Sequence, residues 1–177
     1  MIGDSYKHIL YLDTSVEITH YILDEYEEEV DNPNKTYSMY KKEIIESYNL
    51  ASNLGYCKII EITEEFITIS MNRYSILNDN IENFIGSKPF IKKFFQLIES
   101  MWNSSIIHLD FAPRNIGIDS NGNFKLIDLN ELYKFTDKNE FISWLNLNEF
   151  EFVHAGLGKK YSKVKNIIID KINKQEI

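Results

Sequence analysis

The stretch "IIHLDFAPRNIGIDSNGNFKLIDLN", residues 106–130, decides how this chain is read. It places a histidine, an aspartate and an asparagine at 108, 110 and 115, then a second aspartate at 128 behind an apolar run. Between them "NIGI" and "FKLIDL" read as two short strands joined by Asp119-Ser-Asn-Gly-Asn, and Asn-Gly is the dipeptide favoured in tight hairpin turns. Read alone, Asp110 and Asn115 are ordinary turn and cap residues, and Asp128 is an ordinary strand-end carboxylate. Together they place one amide and two carboxylates on a loop and the hairpin that follows it. Phosphoryl transfer asks for such oxygens: ligands for a metal that neutralises phosphates, and a carboxylate that orients the attacking hydroxyl. Mg²⁺ takes one or two hard oxygens from protein and the rest from phosphate and water. Asn115 and Asp128 are therefore the candidate metal ligands, and Asp110 the candidate base.

Working outward, "KPFIKKFFQLIESMWNSS" before this stretch is an amphipathic helix with Pro89 in its first turn. Its aromatic stripe of Phe90, Phe94 and Phe95 is core packing. Residues 5–24 read as strands turning at Asp13-Thr14-Ser15, and "EYEEEVDNPNK" as a solvated loop. A helix runs from about Tyr37 to Leu54, stopped by Gly55. "CKIIEITEEFITISM" gives two strands around Thr63-Glu64-Glu65, and residues 79–85 a short polar helix or loop. The tail gives two helices, "NEFISWLNLNEF" and "YSKVKNIIIDKINK". This order indicates an α+β chain in two lobes.

Composition sets the outer bounds. With 44% hydrophobic and 14% aromatic residues in a chain of 177, a packed interior is expected. A formal charge of −8 argues against a general nucleic-acid or membrane-surface binder, since phosphates are repelled, though a nucleotide needs only a few placed cations. Cys57 is the single cysteine, which excludes an intrachain disulfide and fits a reducing compartment. No apolar run is long enough to span a bilayer, and the first residues are not signal-like. A soluble, cytoplasmic protein is expected.

The 108–130 stretch resembles the catalytic core of the protein kinases. His108, Asp110 and Asn115 match H-x-D-x-x-x-x-N, and Asp128-Leu129-Asn130 stands where D-F-G lies. The resemblance covers roughly residues 1–135. It implies a single minimal kinase-like domain over 1–177, with a strand-rich N-lobe over 1–75 and a reduced helical C-lobe over 76–177. It also implies ATP and Mg²⁺ as cofactors, with ATP between the lobes and "SMNRYS" as the hinge, so that Met71 and Asn72 meet the nucleotide. His108 would then hold the loop's backbone.

Departures from the family are equally visible. Tyr21 stands where the phosphate-binding lysine falls. The with-no-lysine kinases move that lysine into the glycine-rich strand after Ser-Phe, and here Ser5-Tyr6 are followed by Lys7. Lys7 and Ser5 are thus the nominated phosphate contacts, with Glu46 (or Glu43) on the first helix as the lysine's partner. Leu109 replaces the usual arginine, which removes the expectation of control by a phosphorylated loop. Ala112 and Arg114 do not settle the acceptor. Residues 129–177 offer no A-P-E sequence. In this the chain looks like the minimal kinases of bacterial effectors or compact viral kinases, for which a host cytoplasm is the implied compartment. The expected activity is transfer of a γ-phosphate to a protein hydroxyl, with a protein substrate or accessory protein as partner. Two alternatives stand beside it: a pseudokinase acting as a binding module, for which Tyr21, Asn130 and the lost glycines argue, and a small-molecule kinase like the aminoglycoside and choline phosphotransferases.

Overall fold

A computed structural model describes residues 7–21, 37–80 and 88–177. These divide into two compact units, one of residues 1–73 with 129–131, the other of residues 74–128 with 132–177.

In the first unit β1 (Lys7–Tyr11), β2 (Ser15–Tyr21), β3 (Lys58–Ile62) and β4 (Phe66–Asn72) form an antiparallel sheet in the order β1-β2-β4-β3. The β-branched runs seen in the sequence become its two central strands. Their alternation puts Val16 and His20 of β2, and Ile67, Ile69 and Met71 of β4, on the buried face. The helix α1 (Tyr37–Asn53) buries Ile44, Ser47, Tyr48 and Ala51, a stripe at helical spacing. Tyr48 Oη lies 3.2 Å from His20 Nδ1, which ties the helix to the sheet. Gly55 ends the helix in the left-handed region (φ 75°), where the Tyr56 amide donates back to the Ala51 carbonyl at 3.0 Å. At the β3–β4 turn Thr63 Oγ1 accepts from the Glu65 and Phe66 amides, a side chain standing in for turn backbone.

The second unit opens with β5 (Ser75–Ile76) and a 3-10 turn, Asn78–Asn80, followed by the long helix α2 (Lys88–Asn103). Then come β6 (Ile106–His108), a 3-10 turn at Pro113–Asn115, β7 (Ile116–Ile118), β8 (Phe124–Leu126) and β9 (Leu132–Lys134). β5, β7 and β8 form one small sheet, and β6 pairs with β9. The 119–123 hairpin turn is closed by Asp119 Oδ1, which accepts from the Asn121 and Asn123 amides, with Gly122 at φ 72°. Gly117 is a glycine for lack of room: a Cβ there would meet the Tyr74 Cβ at 2.7 Å.

The interior of this unit is aromatic. Phe94 of α2 stands 5.2 Å from Phe152, 5.8 Å from Tyr161 and 6.1 Å from Phe111, ring centre to ring centre, and Phe111 stands 4.9 Å from Trp144. All five rings are buried. Such offset and tilted pairs add roughly 0.5–1.5 kcal/mol each beyond the area they bury.

The tail corrects the sequence reading: it holds three helices, α3 (Lys138–Leu147), α4 (Glu149–His154) and α5 (Gly158–Lys174). The break follows from Asn148, whose backbone and side-chain N–H groups both donate to the Trp144 carbonyl. The side-chain hydrogen bond competes for that carbonyl, and α3 ends a residue before α4 begins. Gly156, at φ 74°, separates α4 from α5. Among the described residues no helix is long and apolar enough to cross a membrane.

Candidate active site

The loop after β6 is built on His108. Its side chain is fully buried, its Nε2–H donates to the Ile127 carbonyl at 2.9 Å, and its own carbonyl accepts from the Trp144 indole N–H at 2.8 Å. Burial pushes the imidazole below its ordinary value, against the opposing pull of the Ile127 carbonyl and of the Asp128 and Asp110 charges. His108 is thus a neutral strut that joins the loop to the hairpin, with Nδ1 lacking a hydrogen-bond partner among the described residues.

Asp110 follows two residues later, fixed in place by the wholly buried Phe111 and Ala112 beside it. The Asn115 amide donates through Nδ2 to the Asp110 carboxylate Oδ2 at 2.7 Å and to the Asp110 carbonyl at 2.8 Å. Arg114 donates to Oδ1 of the same carboxylate and, through Nη1, to Glu151 Oε2 at 2.9 Å. One donor on each oxygen sets the plane of the Asp110 carboxylate. An ionised carboxylate has about four acceptor sites, so room remains for a substrate hydroxyl.

Asp128 comes to the same place through backbone. β7 and β8 pair with Ile116 opposite Leu126, and the Ile127 amide donates to the Asn115 carbonyl at 3.0 Å. Asp128 therefore stands one residue past a direct bond to Asn115. It sits half-buried in the left-handed region (φ 58°, ψ 55°), a conformation that costs an L-residue about 1 kcal/mol or more and is best tolerated by Asn and Asp.

The donor set suits Mg²⁺. Asn115 spends its Nδ2 on Asp110, which leaves its amide oxygen as the side that can ligate, and Asp128 adds a carboxylate. Both are hard oxygens, and two from protein are what such an ion takes when phosphate supplies others. No larger cluster of His, Cys, Asp and Glu suited to a metal occurs among the described residues.

The remaining nominated residues lie in the first unit. Lys7 opens β1, and its Nζ donates to the Asn130 side-chain oxygen at 2.8 Å. Glu46 lies on the exposed face of α1, 3.7 Å from Lys42 one turn away; no bond joins it to Lys7 among the described contacts. Met71 is buried within β4 opposite Val16, and Asn72 is exposed opposite Ser15. The strand runs through both, and the next amide, of Arg73, donates to the Thr14 carbonyl at 3.1 Å. Ser5 lies outside the described residues.

Sequence reasoning missed Arg114 and Glu151 as the clamp on Asp110, and Trp144 as the support of His108. Arg114 lies on the loop itself, four residues past Asp110. Trp144, however, is 36 residues from His108 and Glu151 is 37 from Arg114, and only the packing of α3 and α4 brings those two to the loop. It also missed a groove of about 440 Å³ beside Asp110, lined by Ile107, Leu109, Glu140, Trp144, Leu147 and Glu151 among others.

No protein-family model matches the chain, and no curated protein matches it. Solved structures do. The bifunctional kinase-methyltransferase WbdD matches over 85% of this chain and 34% of its own, at 16% identity and TM-score 0.53. A 2.2 Å crystal structure of WbdD matches over 88% and 36%, at 15% and 0.55. WbdD co-crystallised with the kinase inhibitor LY294002 matches over 93% and 44%, at 12% and 0.53. The chain thus spans less than half the length of these proteins. The likeness establishes the fold: α+β and kinase-like, strand-rich in its N-terminal part and helical in its C-terminal part.

Proposed function

We propose that this chain is a phosphotransferase that moves the terminal phosphoryl group of ATP to a hydroxyl, a protein hydroxyl first among acceptors. One observation carries the reading: the Asn115 amide is fixed on Asp110 by two bonds, while its backbone holds the strand end that carries Asp128. An ordinary turn has no use for a buried asparagine and a half-buried acid on facing ends of one hairpin with a second acid on the loop before it.

In this reading Asn115 and Asp128 hold Mg²⁺, which, when bound, neutralises phosphate charge. The Asp110 carboxylate, oriented by Asn115 and Arg114, accepts the acceptor's O–H and aims its oxygen. The acceptor O–P bond forms as the bond from the terminal phosphorus to the bridging oxygen breaks. ADP leaves, and the hydroxyl proton passes to Asp110 and on to solvent. Trp144, His108 and the aromatic interior beneath hold these groups to the geometry that oriented transfer demands. Lys7 is the proposed cation for the phosphates, and its bond to Asn130 is one it would exchange or share on doing so.

The test is turnover. Wild type should release ADP from ATP in a Mg²⁺-dependent manner, and Asp128→Ala should lose that activity while keeping its melting temperature within a few degrees. Full turnover in this variant would end the assignment.

The Lys7–Asn130 bond favours one second reading, a pseudokinase used as a protein-binding module. Thermal shift separates the two. A melting temperature raised by ATP only with Mg²⁺ supports the enzyme, and none raised under either condition supports the module.

A further inference from the structure

The groove beside Asp110 has no role in the chemistry described so far. Its floor is Ile107 and the Trp144 ring, both buried, and its rim is Leu109 and Leu147, which are 58% and 80% exposed. Three carboxylates line it, those of Asp110, Glu140 and Glu151, and among the described residues no lysine or arginine does. Arg114 offsets part of that charge through its bonds to Asp110 and Glu151. Glu140 Oε2 accepts from the Thr136 amide at 2.9 Å, just ahead of Asp137, which caps α3. The groove is thus apolar below, acidic at its edge, and joined at one end to the carboxylate that would orient an acceptor.

We propose that this groove binds the acceptor, and that the acceptor is a peptide segment whose hydroxyl residue is flanked by a basic and an apolar side chain. The chemistry rests on the phosphotransferase reading; the selectivity rests on the groove alone. Charge complementarity selects the basic residue: a cation beside Glu140 and Glu151 is attracted, and an acidic residue there is repelled. Two leucines left open to solvent on separate elements are large apolar surfaces awaiting cover. The openness argues for a peptide over a free small molecule. Small ligands are held in concave sites that bury most of their surface, whereas this groove is rimmed by two exposed leucines. An extended segment fits that shape, with one side chain on the Trp144 floor and its hydroxyl at Asp110.

The experiment is equilibrium binding by fluorescence anisotropy on the full chain, with a fluorescein-labelled nonapeptide carrying one serine between arginine and leucine. A second peptide carries glutamate for arginine, and ethanolamine serves as unlabelled competitor. The arginine peptide should bind at least tenfold tighter than the glutamate peptide and weaken as salt is raised. Leu147→Lys, at an exposed position that leaves folding intact, should weaken it fivefold or more, and Glu140→Lys by a similar factor. Equal binding of the two peptides, or binding indifferent to both substitutions, overturns the proposal. Displacement of the peptide by millimolar ethanolamine overturns the peptide assignment in favour of a small amino alcohol. Because no nucleotide is present, the outcome is independent of turnover. A preference for the arginine peptide in a chain that transfers no phosphate would keep the groove and remove the enzyme.

Discussion

The four-stranded unit and the aromatic unit differ in what they bury: mainly aliphatic side chains in one, a cluster of rings in the other. In the first, Ile9, Leu10, Tyr11, Ile60 and Ile62 remain exposed on the outer strands, while the central strands and one helix stripe are covered. In the second, Phe90, Phe94, Phe111, Phe152 and Tyr161 are wholly buried and linked by ring contacts, and Phe141, also buried, packs on Trp102, Phe135 and Trp144. Asp110, Asn115 and Asp128 all belong to the second unit, and Asp110 and Asn115 each adjoin a buried apolar residue of that unit, Phe111 and Ile116. Lys7 and Glu46 belong to the first, one on an outer strand and one on a solvated helix face. The proposed oxygen ligands thus stand beside the aromatic packing, where the proposed phosphotransfer would need fixed geometry.

That contrast can be tested at several scales. The largest effect is expected at the proposed metal pair. Asn115→Ala should lower Mg²⁺-dependent ATP turnover by about a thousandfold, the scale of losing a group aimed at transition-state charge. Lys7→Ala should lower it by no more than about tenfold if rigidity of the supporting unit decides, and a steady-state assay of both reads the ordering directly.

Stability comes next. Phe152→Ala removes a wholly buried ring that touches Phe94, Phe111 and Tyr161, and should cost about 3–5 kcal/mol in urea unfolding. Ile60→Ser, on the exposed face of β3, should stay within about 0.5 kcal/mol. Similar losses at the two positions would erase the distinction between the units.

Trp144→Phe keeps most of the ring and deletes the indole donor, leaving the His108 carbonyl without that partner. A loss of about 1–3 kcal/mol is expected, with turnover falling more than stability alone explains, since the Asp110 loop hangs from that bond.

The smallest effect concerns pH. His108 is held neutral by burial, so its folded value lies below its ordinary one of about 6.5. Below that pH the unfolded chain binds a proton that the folded chain refuses. Stability should therefore be fully present above about pH 6.5 and fall as pH drops beneath it. Melting temperatures taken from pH 7.5 to 5 should show the slope, and His108→Asn should flatten it.

Much of this molecule is legible in short-range pattern. The strands around Asp13-Thr14-Ser15 and Thr63-Glu64-Glu65, the helix stopped by Gly55, and the Asn-Gly hairpin each form because local preference and hydrophobic period agree. The direct bond of Asn115 to Asp110 was not read from the sequence, although only five residues of loop separate the two. Nor were the three-residue strands β6 and β9. They are too short to show alternation, and they form because their backbone groups find each other from opposite ends of the hairpin. The break at Asn148 was equally hidden, because the periodicity of "NEFISWLNLNEF" continues through it.

By itself, the sequence determined the class of fold and proposed three oxygen-bearing side chains for the site, because spacing along one loop and hairpin limits how far apart they can lie. Only the tertiary structure decided what holds them and what faces them. Arg114 finds Glu151, Trp144 finds the His108 carbonyl, and Leu109 finds Leu147 across a groove, because helices distant in the chain bury their aromatic faces together. Burial of apolar area is non-directional and acts at any sequence separation. No local pattern encodes which polar groups it will bring face to face.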